Sequence, residues 1–164
     1  MSKITQGLRA SVPFKDRRDS AHDTLCARVL RKRTEICEIL CDEHAYVLAA
    51  EVEHPVASGF VDIVIITSSP SRASDASETL VCEVKTEREG CSAGDVIRQL
   101  KRYSASIKER AEPWEHPLHI RCVVFSGHCE AEDFCYLIAY SGFAHMIVED
   151  SSAPIMCEQC EKIL

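Results

Sequence analysis

Gly59-Phe-Val-Asp-Ile-Val-Ile-Ile66 and Leu80-Val-Cys-Glu-Val-Lys85 are the two stretches on which the fold turns. Both are short apolar runs, and the first, rich in Val and Ile, reads as a strand buried on both faces. Side chains alternate along a strand, so Glu83 and Lys85 share one face while Leu80, Cys82 and Val84 share the other. Asp62 interrupts its run at a place where an ionised carboxylate is costly without a partner. If the two runs pair as neighbours, Asp62 sits beside Glu83. Two hard carboxylates with an ammonium alongside suit a cation such as Mg²⁺ and the hydrolysis of phosphodiesters. A Glu-Val-Lys triplet alone is weak, because acids and lysines often end strands at exposed edges. The buried Asp62 gives it weight.

Outward from these runs the chain reads as alternating elements. Asp19 or Ser20 caps a helix running to about Cys41, with Leu25, Val29, Ile36 and Leu40 as its apolar stripe. A first strand covers Ala45 to Val52, and His54-Pro-Val-Ala-Ser-Gly59 reads as the turn into a second, Phe60 to Thr67. The serine-rich stretch 68–77 is a hairpin loop, and Leu80 to Lys85 the third strand. After a loop over 90–94 come a helix from about Asp95 to Arg110 and a breaker region holding Pro113 and Pro117. A fourth strand at Ile120 to Phe125, a short helix at about Glu130 to Tyr140 and a fifth strand near His145 to Val148 follow. Three strands joined by short turns and then a helical crossover imply an α/β fold, a mixed sheet flanked by helices.

At 164 residues the chain fits one domain, expected over 19–150, with an N-terminal arm at 1–18 and a C-terminal tail or short helix at 151–164. Composition, 46% hydrophobic and 27% charged, fits a globular protein, and no run is long enough to span a bilayer. The opening residues lack the apolar stretch of a secretory signal, so a cytoplasmic or otherwise intracellular location is expected. Most of the ten cysteines fall where a small hydrophobe would serve and read as reduced core thiols. Cys157-Glu-Gln-Cys160 differs, since its spacing suits zinc, an iron–sulfur cluster or a redox pair, but no second such pair completes four ligands. The net charge of −7 does not advertise nucleic-acid binding. Yet Arg98, Lys101 and Arg102 cluster on one helix and offer phosphate contacts if that face borders the acidic site.

The order Asp62, variable loop, Glu83-Val-Lys85 within an α-β-β-β-α-β plan resembles the PD-(D/E)XK superfamily of nucleases, with the restriction-endonuclease-like fold. Asp95-Val-Ile-Arg-Gln-Leu-Lys-Arg-Tyr103 strengthens the likeness. It looks like the Gln-x-x-x-Tyr element that follows the Glu-X-Lys strand in RecB-type and Holliday-junction-resolvase-type members. The resemblance covers roughly residues 20 to 126 and departs at Val61, where the nominal motif has Pro, a position known to vary.

It implies a restriction-endonuclease-like core with a C-terminal α-β extension, and a metal-dependent nuclease acting on DNA, with RNA as the alternative and a homodimer suited to cutting two strands. Asp62 and Glu83 would bind Mg²⁺ or Mn²⁺, assisted by the Val84 carbonyl. Lys85 would orient or deprotonate the attacking water or stabilise the transition state. An ammonium among carboxylates stays protonated unless desolvation wins, which favours the electrostatic role. Gln99 would support the site, and Tyr103, Arg98, Lys101 and Arg102 would contact substrate. Members often carry another acid on the first helix. A helical wheel puts Glu35 on the border of the apolar stripe and Glu38 nearly opposite, which selects Glu35, with Glu51 and Glu53 of the first strand as competitors. Asp62→Ala and Lys85→Ala are each expected to abolish cleavage without unfolding the chain. Two other readings compete: a catalytically silent module that binds nucleic acid or protein, and a metal–sulfur protein using Cys157 and Cys160, with Cys26, Cys37 or Cys135 as loose further ligands.

Overall fold

In the computed structural model, which describes residues 20–70, 77–86, 92–112, 118–128 and 130–164, the first helix divides in two. α1 spans Ser20–Arg31 and α2 spans Arg33–Leu40. Between them Lys32 turns its amine onto the backbone carbonyls of Glu149 and Ser152. β1 (Tyr46–Val56), β2 (Gly59–Ser68) and β3 (Glu78–Lys85) follow, then α3 (Ala93–Arg110), β4 (His119–Ser126), α4 (Glu132–Tyr140), β5 (Ala144–Ile147), β6 (Ile155–Met156) and α5 (Glu158–Ile163). The arm at 1–18 and the breaker region with Pro113 and Pro117 lie outside the described residues, as do parts of the loops expected over 68–77 and 90–94.

The strand boundaries differ from expectation at Pro55. β1 continues through Pro55 and Val56, and only Ala57 and Ser58 make the turn. Proline cannot donate to a ladder, but β1 is the edge of the sheet, where that donor is not needed. Gly59 closes the turn at φ +141°, a conformation side-chain-bearing residues rarely adopt. At α3 the helix starts two residues earlier than the sequence implies. Ser92 caps it, its hydroxyl accepting from the Asp95 N–H while Asp95 reaches back to the Ser92 N–H.

The six strands form one mixed sheet in the order β1-β2-β3-β4-β5-β6. β1, β2 and β3 pair antiparallel, β3, β4 and β5 parallel, and β5 and β6 antiparallel. Alternation along the strands feeds two cores. Ile63, Ile65, Leu80, Cys82, Val84, Val123, Phe125 and Met146 pack under α1 and α2. Val64, Val81 and Val124 pack on the other face against Val96, Leu100 and Tyr103 of α3 and Ile138 of α4. The molecule is therefore an α/β structure with the sheet between two helical layers.

Candidate functional site

The β2–β3 ladder runs from Thr67 opposite Glu78 to Ile63 opposite Cys82, and stops. One residue further, the Asp62 carboxylate takes over: its Oδ2 accepts the Val84 N–H at 2.9 Å. A side chain thus satisfies a buried amide that would otherwise be left unpaired at some cost. Val61 belongs to the α3-side core and Ile63 to the α1-side core. Residues two apart on a regular strand share a face, so the alternation of β2 breaks at Asp62. Asp62 consequently occupies the opening between two strands rather than one face of the sheet, which differs from the simple face-sharing the sequence implies.

Glu83 and Lys85 do share a face. Lys85 Nζ lies 2.8 Å from Glu83 Oε1, with the side chains 11% and 4% exposed respectively. Because Val84 is the middle residue of that triplet, Asp62 is anchored to the same three residues. On the α3 side Gln99 Nε2 donates to the Tyr103 hydroxyl at 2.8 Å. Burial pushes the Tyr103 phenol above its ordinary pKa, the Gln99 hydrogen bond opposes this, and the charges of both Glu83 and Asp62 add to the rise. Asp62, Glu83, Lys85, Gln99 and Tyr103 are therefore brought into one region. Gly59 adjoins the same corner: a Cβ there would stand in ordinary contact with the Tyr103 hydroxyl, at 3.9 Å.

The side chain that reaches Asp62 from the first helical pair is His22. Its Nε2 lies 3.3 Å from Asp62 Oδ2, with both side chains buried. Glu35 and Glu38 are exposed on α2, whose buried residues are Ile36, Cys37 and Leu40. His22 was missed, although a signal existed: it stands three, four and seven residues before Leu25, Cys26 and Val29, on the same buried stripe. Hydrogen bonding to Asp62, helped by Cys26, pushes the His22 pKa from 6.5 up to about 10 against the opposing effect of burial. The protonated imidazole therefore stabilises the fold in full below pH 6.5, and that contribution is lost as pH rises towards about 10. The gap in unfolding free energy between wild type and His22→Gln should be on the order of a few kcal/mol at the acid end of this window. Denaturant titrations across the window should show it closing; a gap that stays constant would contradict the ion pair.

Of the first-strand acids, Glu51 is exposed and paired with His54, Oε2 to Nδ1, at 2.7 Å. Glu53 is half-buried and stands at φ +53°, the only non-glycine among the described residues with positive φ. It lies between the pairs Val52–Ile63 and His54–Val61, level with Asp62. Such backbone strain concentrates at functional sites. Among the basic residues, Arg98 pairs with Asp95, and Arg98, Lys101 and Arg102 are all exposed. Lys101 lines a groove with Lys108, Arg121 and Ile120, near the start of β4 rather than at Asp62.

A second cluster lies at the other edge of the sheet. Cys135, His145 and Cys157 are buried and each places one ligand atom within 4.8 Å of the others, a set that can hold a metal ion. Burial, with a contribution from His128, lowers the His145 pKa to about 4, so this imidazole is neutral. Of the loose further ligands that the sequence offers beside Cys157, Cys135 is the one this cluster contains. No helix among the described residues is long and apolar enough to cross a membrane. Comparisons with protein-family models, curated proteins and solved structures return no match to this chain.

Proposed function

We propose that the Asp62–Glu83–Lys85 corner is the centre of a metal-dependent nuclease with a restriction-endonuclease-like core, acting on DNA. The observation that carries the reading is the opening of the β2–β3 ladder at Asp62, whose carboxylate is fixed to the backbone of the Glu83-Val84-Lys85 triplet. Two carboxylates are a hard, oxygen-only donor set that fits Mg²⁺ or Mn²⁺, both of which commonly keep waters and take substrate phosphate oxygens as further ligands. Asp62 and Glu83, with the Val84 carbonyl, would hold the ion, which when bound acidifies a water and neutralises phosphate charge.

The remaining roles belong to the chain. Lys85, held beside Glu83, offers a positive charge to the pentacovalent transition state. His22 fixes the rotamer of Asp62 from α1, and Gln99 fixes the Tyr103 hydroxyl from α3. Glu53 is the first-strand acid this reading selects, and its strained backbone makes a separable test. Glu53→Gly should raise stability by about 1 kcal/mol by relieving the positive φ, seen as a higher melting temperature, while cleavage falls. A stabilised variant with undiminished cleavage would remove Glu53 from the site.

A silent binding module is the rival, and one observation favours it: both carboxylates already have cationic neighbours, His22 and Lys85. A panel of linear, circular, single-stranded and junction DNAs, incubated with Mg²⁺ or Mn²⁺, separates the two. Cleavage that requires the metal and disappears in Asp62→Asn supports the nuclease; intact DNA throughout the panel supports the module.

A further inference from the structure

The geometry points to a structural zinc site formed by Cys135, His145, Cys157 and Cys160, independent of the Asp62 corner. The four residues come from three elements and the turn before the last one. Cys135 lies on α4, His145 on β5, Cys157 at the cap of α5 and Cys160 within it. All four are at most 1% exposed. Cys135 Sγ lies 3.4 Å from His145 Nδ1. A tetrahedral centre with Zn–S about 2.3 Å and Zn–N about 2.0 Å sets its ligand atoms about 3.5 to 3.8 Å apart, so this pair is already spaced for a shared ion.

The surroundings are built in the same sense. His145 Nε2 lies 2.8 Å from the Ser126 hydroxyl, which turns Nδ1 towards the thiols. A metal-binding imidazole is ordinarily oriented in this way by a partner on its other nitrogen. Phe134 packs edge-on against the ring, its centroid 5.8 Å away. The His145 backbone N–H donates to Cys160 Sγ at 3.3 Å, and the Cys157 N–H donates to the His145 carbonyl at 2.8 Å. Cys135, His145 and Cys157 already converge, and Cys160, whose Sγ now lies between the His145 backbone N–H and the Phe143 carbonyl, is the neighbouring thiol that would turn in to complete four ligands.

Soft sulfur ligands with one imidazole select zinc over magnesium, and four protein ligands leave no open position, so the role is structural rather than catalytic. Binding converts three thiols to thiolates and releases three protons to solvent, with no change of oxidation state. The ion would fasten short elements, β6 of two residues and α5 of six, to the longer α4 and to β5. A metal crosslink to α4 and β5 does for these short elements what a larger core does elsewhere.

The test uses the full chain, purified under reducing conditions without chelator, and measures metal by mass spectrometry. One zinc per chain is expected, retained in Asp62→Asn and lost in Cys157→Ser and Cys160→Ser. Cobalt exchanged into the wild type should give the visible bands of tetrahedral, thiolate-rich Co²⁺, which decides the matter even if the variants fail to fold. A reduced wild type that holds no zinc and develops no cobalt bands would overturn the site. Bound iron in place of zinc, a chain lighter by two hydrogens from a Cys157–Cys160 disulfide, or cobalt bands that persist unchanged in folded Cys135→Ser would overturn it as well.

Discussion

Asp62→Asn should reduce Mg²⁺-dependent cleavage about a thousandfold, because a bound metal supplies several kcal/mol of charge stabilisation and each 1.36 kcal/mol is about tenfold. The amide is chosen deliberately. Asp62→Ala would also remove the acceptor of the buried Val84 N–H, leaving it unsatisfied at a cost of about 1–3 kcal/mol. Either substitution breaks the buried His22 pair from one side, which costs about 3–5 kcal/mol. The alanine variant loses both contacts, where the sequence alone implies that it stays folded. Asparagine keeps an acceptor for Val84 while discarding the charge a cation needs. Single-turnover assays on the preferred DNA, with folding checked by circular dichroism, measure the effect. Cleavage within a few-fold of wild type in the folded variant would remove Asp62 from the chemistry.

Lys85→Met is the second large effect. Loss of the ammonium should lower cleavage by about a hundredfold, the magnitude of one preorganised charge contact in the transition state. It should also destabilise the metal-free protein by about 3 kcal/mol, since Glu83 loses the cation 2.8 Å away in a buried setting. The two losses respond differently to divalent ions. If Glu83 is a ligand, Mn²⁺ should raise the melting temperature of Lys85→Met more than that of wild type, because the ion replaces the missing charge, while cleavage stays low. A variant equally stable with and without Mn²⁺ would place Glu83 in a purely structural pair.

Much of this corner was legible because strand periodicity is local. Glu83 and Lys85 are two apart on one strand, so their pairing follows from alternation alone. The stripe of Val96, Leu100 and Tyr103 on α3 is likewise a turn-by-turn pattern, although the helix, capped by Ser92, begins two residues before the start its periodicity implies. What stayed hidden depends on chain that is distant in sequence. His22 and Asp62 are forty residues apart, and nothing in either segment alone couples them. The break between α1 and α2 has no Gly or Pro to announce it and instead accompanies the docking of Lys32 on Glu149 and Ser152. Pro55 misleads for the opposite reason. Its local signal is a turn, but position at the sheet edge lets a strand absorb it. The Cys135–His145–Cys157 cluster joins residues from α4, β5 and the cap of α5, so only the folded topology could assemble it.

The claim beneath the functional reading is that Asp62 and Glu83 jointly hold one divalent ion. Calorimetric titration of Mn²⁺ into the full-length wild type and into folded Asp62→Asn and Glu83→Gln tests it directly. One saturable Mn²⁺ site in the wild type, absent from both variants, is the predicted result. Equal Mn²⁺ binding by all three proteins, or none by the folded wild type, would contradict it.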